Sequence, residues 1–418
     1  MTKTPDLEAL YSTAYMNETG APLIVIPGIM GSALVDATGK EVWPVSVNNL
    51  AFTRYDQLVP DDADGIQPGR LFDEMAGIDF YGKLVSMLEK AGKYRQSRPG
   101  LPVTDKSQRR LYVFTYDWRK SNFTAVNRLH ELIEQIRRDY GDPALKVDII
   151  AHSNGGLIAR YYLQYGPQTA KTRATPKAWT EGGQRIRRLV MLGTPNLGSV
   201  ISIKRLYQGY DMGLRTVPSE MMAYFATPFE TLPLPGAVAV LDANGTPVTI
   251  DLYDIRLWQQ NRWSVFSETT EARLPTQALA AAQEVFKRNL QQARDFQAAL
   301  AVPMTDSPTE IALFGGDCSQ TESRALLEGG PGTYRLAFSE DQIKAPHPNV
   351  NYRELLSAPG DGLVTRESAS ARKAFDYLST APRQELFPVA QTTFFCERHS
   401  LLTGNPFFQN NLLYFIFH

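Results

Sequence analysis

The feature that most constrains the fold is an alternation between short, mainly apolar runs and segments whose apolar residues recur at helical spacing. The apolar runs have the length and composition of buried strands, and they lie at 22–26, 111–115, 147–151 and 188–192. Between them, residues 123–140 and 157–163 place apolar side chains on one helical face. Alternating strands and helices favour a mostly parallel sheet with helices on both faces. The sequence therefore predicts an α/β fold.

The alternation stops after Ser199 for roughly a hundred residues. This stretch is rich in aromatic residues, Met and Pro, and an amphipathic helix predicted at about 277–300 closes it. A strand-like segment at 310–314 then resumes the sheet, and 389–395 is predicted to be its last strand. The chain therefore has the pattern of a core interrupted by one large insertion.

We expect the following domain organisation from this pattern. Residues 1–200 form the first part of the core and include a polar, Pro- and Asp-rich excursion at 36–75. Residues 201–305 form a cap or lid insertion, and residues 306–418 complete the core. A chain of 418 residues is long enough for this arrangement.

Composition and charge exclude several classes of protein. With 43% hydrophobic and 21% charged residues, the chain is a folded, water-soluble protein and not a disordered or fibrous one. A formal net charge of -1 gives no electrostatic footprint for nucleic acid, so no nucleic-acid partner is expected. The five His residues show no metal-ligand spacing, and we expect neither a metal nor a cofactor. Cys318 and Cys396 leave one disulfide bond open as an option.

Signals for export or membrane insertion are not visible. Residues 1–20 lack a basic start followed by an apolar core, as a secretory signal would have. The longest apolar runs, 23–26 and 412–417, are far shorter than a membrane span. A cytoplasmic location is the default expectation, although a processed chain would look the same.

The strongest chemical signal is Ala151-His152-Ser153-Asn154-Gly155-Gly156, where a buried strand becomes a helix. A G-x-S-x-G elbow needs this context, because small residues flank a Ser that a strained turn lifts clear of the sheet. Ala151 replaces the first Gly of that pattern and is small enough to preserve close packing. Ser153 is therefore a candidate nucleophile, and the alternative is a strand-to-helix loop with a capping Ser.

A Ser hydroxyl needs a base, which is usually a His held by a carboxylate. In an α/β-hydrolase the partners follow in the order Ser, acid, His. His399, directly after the last predicted strand, is the candidate base. Asp361, between two Gly residues and 38 residues before His399, is the preferred acid, and Asp317 is its rival. The alternative for either carboxylate is a turn Asp that bonds its own backbone.

Acyl transfer also needs N–H donors for the oxyanion. The amide of Asn154, directly after the nucleophile, is expected to supply one. The turn Pro27-Gly28-Ile29-Met30-Gly31 follows the first strand and supplies the other through Ile29, or less favourably Met30. A purely structural Gly turn remains the alternative.

These motifs resemble the lecithin:cholesterol acyltransferase family, which includes lysosomal phospholipase and bacterial relatives. The resemblance rests on short motifs spread over most of the chain: Ile26-Pro27-Gly28-Ile29-Met30-Gly31-Ser32 with Val42-Trp43-Pro44, Tyr116-Asp117-Trp118-Arg119, the Ser153 turn, Leu192-Gly193-Thr194-Pro195-Asn196-Leu197-Gly198-Ser199, Gly360-Asp361-Gly362 and His399. Cap sequences such as Asp251-Leu252-Tyr253-Asp254 look like the bacterial branch.

The resemblance implies an α/β-hydrolase fold with a catalytic triad of Ser153, Asp361 and His399. It implies action on acyl esters of lipids, by hydrolysis or by transfer of the acyl group to an alcohol. Met30 and Trp118 would then contact the substrate, with Trp118 as a wall of the acyl pocket. The alternative for the flanking Asp117 and Arg119 is a structural pair beneath the site.

Three questions stay open at this stage. The apolar C-terminal helix either packs on the core or makes a peripheral contact with a lipid surface. A non-catalytic α/β-hydrolase-fold binding protein is an alternative function, because fold does not fix function. A dinucleotide-binding oxidoreductase fits the strand–helix alternation too, but no G-x-G-x-x-G follows a strand.

Overall fold

A parallel sheet forms the centre of the protein. The computed structural model describes residues 4–11, 20–44, 58–60, 65–75, 78–211, 216–373 and 384–418. Within them the central sheet has seven strands: β1 Leu23–Ile26, β2 Arg95–Gln96, β3 Arg110–Val113, β4 Val147–His152, β5 Ile186–Leu192, β6 Glu310–Gly316 and β7 Gln391–Phe395. Their spatial order is β7-β6-β5-β4-β1-β3-β2, and every neighbouring pair is parallel.

Six longer helices and several smaller elements complete the described part of the fold. The principal helices are α1 Gly82–Lys90, α2 Asn122–Tyr140, α3 Asn154–Tyr165, α4 Val200–Gln208, α5 Thr276–Leu300 and α6 Pro406–Phe417. Short α-helices span Leu7–Tyr11, Ser219–Met222, Ala226–Phe229, Ile255–Gln260, Glu268–Arg273, Tyr352–Leu356 and Arg366–Ala369. Short strands form small separate sheets, among them Ser32–Val35, Glu41–Trp43, Gln67–Leu71, Ser319–Glu322, Ala325–Glu328, Arg335–Ala337 and Ser357–Gly360.

Alternate residues of the central strands enter two separate apolar cores, because side chains in a strand point to opposite faces. Ile24 and Ile149 belong to the core that contains α2, α3 and α5, whereas Val25 and Ile150 belong to the core that contains α1 and α6. Both faces of the sheet are therefore buried, which explains the continuous apolar runs of its strands. The predicted α/β-hydrolase fold, with a mostly parallel sheet covered by helices, is confirmed.

The segment between β5 and β6 supplies no described strand to the central sheet. Its helices pack their aromatic residues into the core on the α2–α3 face; these include Phe229, Trp258, Phe286 and Phe296. Phe296 of α5 stacks on Tyr161 of α3 at 4.9 Å between ring centroids. This segment corresponds to the predicted cap at 201–305, but the domain boundaries themselves stay predictions. Part of the predicted excursion at 36–75 lies outside the described residues.

The terminal helix packs on the other core. Phe408 and Leu412 are buried, while Phe407 is 46% exposed. Asn405 caps α6 by accepting N–H bonds from Phe407 and Phe408, which satisfies donors that a helix start leaves unpaired. The core-facing alternative therefore holds for most of this helix. No described helix is long and apolar enough to span a membrane.

A disulfide bond joins Cys318 to Cys396, the option that the sequence left open. Cys318 follows β6 and Cys396 follows β7, so the bond connects the carboxyl ends of two neighbouring parallel strands. Cys396 stands three positions before His399 in the chain. The bond therefore restrains the loop that carries the candidate base.

Replacing both Cys residues by Ser is expected to lower the free energy of unfolding by about 2–4 kcal/mol, because the bond closes a long loop in the unfolded chain. Urea unfolding with and without a thiol reductant measures this. The reductant should shift the wild-type midpoint and leave the double variant unchanged. Equal midpoints for the oxidised wild type and the double variant would contradict a stabilising bond.

Candidate active site

The turn between β4 and α3 places Ser153 at the carboxyl edge of the sheet. Ser153 has φ 55° and ψ -127°, a left-handed conformation that non-Gly residues seldom adopt. Its amide donates to the Leu192 carbonyl on β5 at 2.8 Å. Strained backbone of this kind persists only where neighbours over-determine it, and it concentrates at functional sites. The predicted elbow geometry is present.

Close packing explains the small residues around this turn. A Cβ at Gly156 would lie 1.9 Å from the Thr194 hydroxyl, and one at Gly155 would lie 2.6 Å from the Pro27 carbonyl. A Cβ at Gly28 would lie 2.8 Å from Cβ of Ser153. The turn after β1 therefore touches the nucleophile turn directly, at a distance that excludes any side chain.

Ser153, His399 and Asp361 form one hydrogen-bonded row. Nε2 of His399 lies 2.9 Å from Oγ of Ser153, and Nδ1 of His399 lies 2.7 Å from Oδ2 of Asp361. His399 follows β7 and Asp361 follows the strand Ser357–Gly360, so elements far apart in sequence converge on one edge of the fold. Ser153 is half-buried, whereas the other two side chains are buried. This geometry allows proton transfer from a Ser hydroxyl to a His.

Asp361 is held as an ionised acceptor. Its Oδ1 accepts N–H bonds from Leu363 at 3.0 Å and Val364 at 2.8 Å, and its carbonyl accepts the His399 amide at 2.9 Å. Burial raises the pKa of Asp361, but the facing His399 and these hydrogen bonds outweigh it and leave the pKa below its ordinary value. The rival Asp317 instead lies 3.6 Å from the Arg366 guanidinium. The structure therefore brings Asp361, and not Asp317, to His399.

The predicted oxyanion donors lie in the two turns that meet where Gly28 packs on Ser153. Asn154 begins α3, so its amide is one of the N–H groups that a helix start leaves without an intrahelical partner. Ile29 and Met30 are half-buried in the turn after β1. Met30 has φ 65°, and its carbonyl accepts the indole N–H of Trp43 at 3.1 Å. The roles of these residues stay predictions.

Trp118 is almost fully buried. Its indole N–H donates to the Ser32 carbonyl at 3.2 Å, and its ring packs edge-on against Trp43 and Phe225. Contact of Trp118 and Met30 with substrate stays a prediction. The neighbouring Asp117 and Arg119 form a buried bidentate pair at 2.7 and 2.9 Å, the structural pairing that the sequence analysis left as an alternative.

A buried polar network that the sequence analysis missed supports Asn154. The Asn154 side-chain amide donates to Asn122 at 2.8 Å and to the Tyr116 hydroxyl at 3.1 Å. The Asn122 backbone N–H in turn donates to Glu230 at 2.7 Å, and the Ser121 hydroxyl donates to the same carboxylate at 2.5 Å. Burial raises the pKa of Glu230 to about 7, against the opposing effect of these hydrogen bonds. A carboxylate from the segment between β5 and β6 therefore caps α2 and is connected to Asn154 through Asn122.

One cavity lies close to the candidate site. A cavity of about 410 Å³ lies beside the Asp361 loop, between residues 197–200, 233–239, 322–324 and Thr365. Its walls are apolar on the side of 233–239, and Ser153 does not line it. Within the described ranges, no group of three or more His, Cys, Asp or Glu side chains is arranged to hold a metal.

Comparisons with known proteins find a matching family model and several solved structures with some similarity to this chain. The family model for lecithin:cholesterol acyltransferase matches residues 105–307. Among solved structures, the crystal structure of the Tle4–Tli4 complex matches with a TM-score of 0.61 at 16% identity, over 95% of this chain and 98% of that chain. EstA from Clostridium botulinum matches with a TM-score of 0.40 at 12% identity, over 99% of this chain and 91% of that chain. Staphylococcus hyicus lipase matches with a TM-score of 0.38 at 11% identity, over 99% of this chain and 96% of that chain. A search of curated proteins finds no match.

The fold and the nucleophile turn define an α/β-hydrolase. The family resemblance predicted from the sequence is confirmed, and the chain is similar to the lecithin:cholesterol acyltransferase family over residues 105–307.

Gly28→Ala is expected to destabilise the protein by about 1–3 kcal/mol, because the new methyl group would overlap Ser153 and force the two turns apart. Urea unfolding measures the effect. Gly330→Ala is the matched control, since a Cβ there meets nothing within 4 Å. Equal destabilisation by both changes would show that the contact with Ser153 is unimportant.

Glu230→Gln is expected to remove a pH dependence of stability. The folded protein holds the Glu230 proton to a higher pH than the unfolded chain, whose ordinary value is 4.5. Ionisation therefore opposes folding, and wild-type unfolding free energy should fall on the order of 1–3 kcal/mol as pH rises from about 5 to about 8. The neutral, isosteric Gln can still accept from Asn122 and donate to Ser121.

Urea titrations at both pH values test this prediction. Glu284→Gln, at an exposed position of α5, is the control and should keep the wild-type pH dependence. The role of Glu230 would be excluded if Glu230→Gln kept the wild-type loss of stability at the higher pH.

Proposed function

We propose that the protein is a serine acyl hydrolase or acyltransferase that acts on acyl esters, with lipids as the substrate class. The observation that carries this proposal is the row of Ser153, His399 and Asp361, joined at 2.9 and 2.7 Å at a strained strand-to-helix turn. The similarity to the lecithin:cholesterol acyltransferase family supports the choice of acyl esters of lipids.

The proposed mechanism begins with attack of Oγ of Ser153 on the ester carbonyl carbon. Nε2 of His399 takes the hydroxyl proton as the new C–O bond forms. Asp361 holds Nδ1–H and stabilises the imidazolium, and its lowered pKa keeps it ionised at neutral pH. The carbonyl oxygen becomes an oxyanion, which the amides of Asn154 and Ile29 stabilise, with Met30 as the alternative to Ile29.

Collapse of this intermediate breaks the bond to the leaving alcohol, which receives the proton from His399. The acyl group is then bound to Ser153 as an ester. Water or an acceptor alcohol attacks this acyl-enzyme with His399 as base, and Ser153 regains its proton when the product leaves. Hydrolysis and transfer therefore share every residue and differ only in the second nucleophile. No metal or cofactor takes part in these steps.

The surroundings of the site support a substrate with an apolar part. Half-buried Ile29 and Met30 directly follow Gly28, which packs on Ser153, and the cavity beside the Asp361 loop has one apolar wall. Exposed Leu401 lies in the 3₁₀ helix His399–Gly404, and exposed Phe407 lies in the first turn of α6. A peripheral contact of these two residues with a lipid surface would therefore be close in the chain to His399. We expect no nucleic-acid partner.

The disulfide bond is relevant to the cellular location of the protein. Disulfide bonds persist in oxidising compartments and are rare in the cytosol. The bond between Cys318 and Cys396 therefore argues against the cytoplasmic location expected from the sequence. That location stays a prediction.

The decisive experiment is labelling of the purified protein with a fluorophosphonate probe, with hydrolysis of short- and long-chain acyl esters measured in parallel. Ser153→Ala is expected to abolish labelling and to reduce turnover by several orders of magnitude. Asp361→Asn should reduce turnover about 10⁴-fold, because the neutral Asn side chain no longer holds the imidazolium of His399. Asp317→Asn is the matched control and should keep wild-type rates.

Two outcomes would contradict the proposal. Absence of labelling in a folded wild type, also with lipid or detergent micelles present, would favour a non-catalytic binding protein. Labelling that survives Ser153→Ala would place the reactive Ser elsewhere.

A further inference from the structure

Tyr81 and His152 form a buried chain of hydrogen bonds beneath the candidate site. The Gly28 amide lies 2.8 Å from the Tyr81 hydroxyl, and this hydroxyl lies 2.8 Å from Nδ1 of His152. Nε2 of His152 lies 3.2 Å from the carbonyl oxygen of His399. The chain therefore begins in the turn after β1, passes through the residue that precedes Ser153 and ends on the backbone of the candidate base.

The chemistry of the two ends fixes the direction of every bond. The Gly28 amide can only donate, so the Tyr81 hydroxyl accepts this bond and is free to donate its own proton to Nδ1 of His152. The His399 carbonyl can only accept, so Nε2 of His152 must carry the proton. One neutral tautomer of His152 satisfies all three bonds. The opposite tautomer would break the bond to the His399 carbonyl and leave the Tyr81 O–H without its acceptor.

Burial keeps both side chains in this protonation state. Burial, together with the nearby His399, lowers the pKa of His152 to about 3, and burial raises the pKa of Tyr81 above its ordinary range. The His152 ring lies 4.8 Å from the His399 ring, centroid to centroid. A charged His152 at this distance would oppose the imidazolium that forms on His399 during acyl transfer.

We propose that Tyr81 and His152 are positioning residues, which hold the oxyanion turn at Gly28 in register with the base His399 through this one-directional chain. The Asp361 carbonyl already accepts the His399 amide, so His152 secures the second backbone polar group of the base. At the other end, Tyr81 fixes the amide that precedes Ile29. The proposal rests on the proposed function for its kinetic consequence, but the hydrogen-bond chain itself does not.

The principal test compares Tyr81→Phe with Tyr94→Phe. Both Tyr residues are 3% exposed and belong to the same apolar core, and the Tyr94 hydroxyl has no hydrogen-bond partner among the described residues. Tyr81→Phe is expected to lower kcat for a short-chain nitrophenyl ester about 10- to 100-fold, less than complete loss of an oxyanion donor. KM should change little, and Tyr94→Phe should keep wild-type values of both constants.

The tautomer of His152 provides a readout that a packing role would not change. In protein labelled with ¹⁵N-histidine, wild-type His152 should show Nε2 protonated and Nδ1 unprotonated at neutral pH. Tyr81→Phe keeps the bond to the His399 carbonyl but removes the O–H donor from Nδ1, so the Nδ1 chemical shift should move toward that of an imine nitrogen without a hydrogen bond, while Tyr94→Phe should leave it unchanged. Wild-type protein with Nδ1 protonated would overturn the proposal directly.

Two substitutions of His152 separate the two ends of the chain. His152→Asn keeps an acceptor near Tyr81 but loses the donor to His399, and His152→Gln keeps a donor near the His399 carbonyl but loses the acceptor. Both should lower kcat. If the chain acts as a unit, Tyr81→Phe combined with His152→Asn should cost little more than the worse single change.

The outcomes distinguish this proposal from the proposed function. An inactive, unlabelled wild type would contradict the proposed function and leave the tautomer measurement to judge the hydrogen-bond chain. An active wild type with unchanged kcat in Tyr81→Phe and in both His152 variants would overturn the positioning role. Fully additive losses in the double variant would also overturn it.

Discussion

The left-handed backbone of Ser153 is the constraint on which the rest of the site depends. This conformation is unfavourable for a residue with a side chain, and it is maintained because β4 and α3 are anchored on both sides of it. The Ser153 amide bonds to β5, Gly155 packs on the Pro27 carbonyl, and Gly28 packs on Ser153 itself. The parallel sheet provides this arrangement, because the carboxyl ends of neighbouring strands meet at one edge.

Much of this arrangement could be predicted from sequence because it has a local signal. The strand predicted at 147–151 is observed as Val147–His152, and the helix predicted at about 277–300 is observed as Thr276–Leu300. Apolar periodicity reports these elements, since their burial sets the residue pattern. Ser153, Asp361 and His399 could be nominated from turn residues, strand ends and chain order, and the structure places them within hydrogen-bond distance.

Other features have no local signal. The strand Arg95–Gln96 is two residues long and exposed, so no periodicity marks it. Tyr81 and His152 are 71 positions apart, and Asn122 and Glu230 are 108 positions apart. Pairs of this kind arise from how helices and loops pack over the sheet. The residue type of a buried Tyr or Glu does not reveal whether its side chain has a hydrogen-bond partner. The choice between Asp361 and Asp317 was open for the same reason, since both follow strands and only the folded loops decide which one faces His399.

The segment between β5 and β6 is coupled to the nucleophile turn through both apolar and polar contacts. Its aromatic residues share one core with α2 and α3, so movement of the whole segment would expose that core to water. Glu230 also bonds the start of α2, and Asn122 passes this restraint to Asn154, a predicted oxyanion donor. A large hinged opening of this segment would therefore disturb the start of α3, where the proposed oxyanion donor lies.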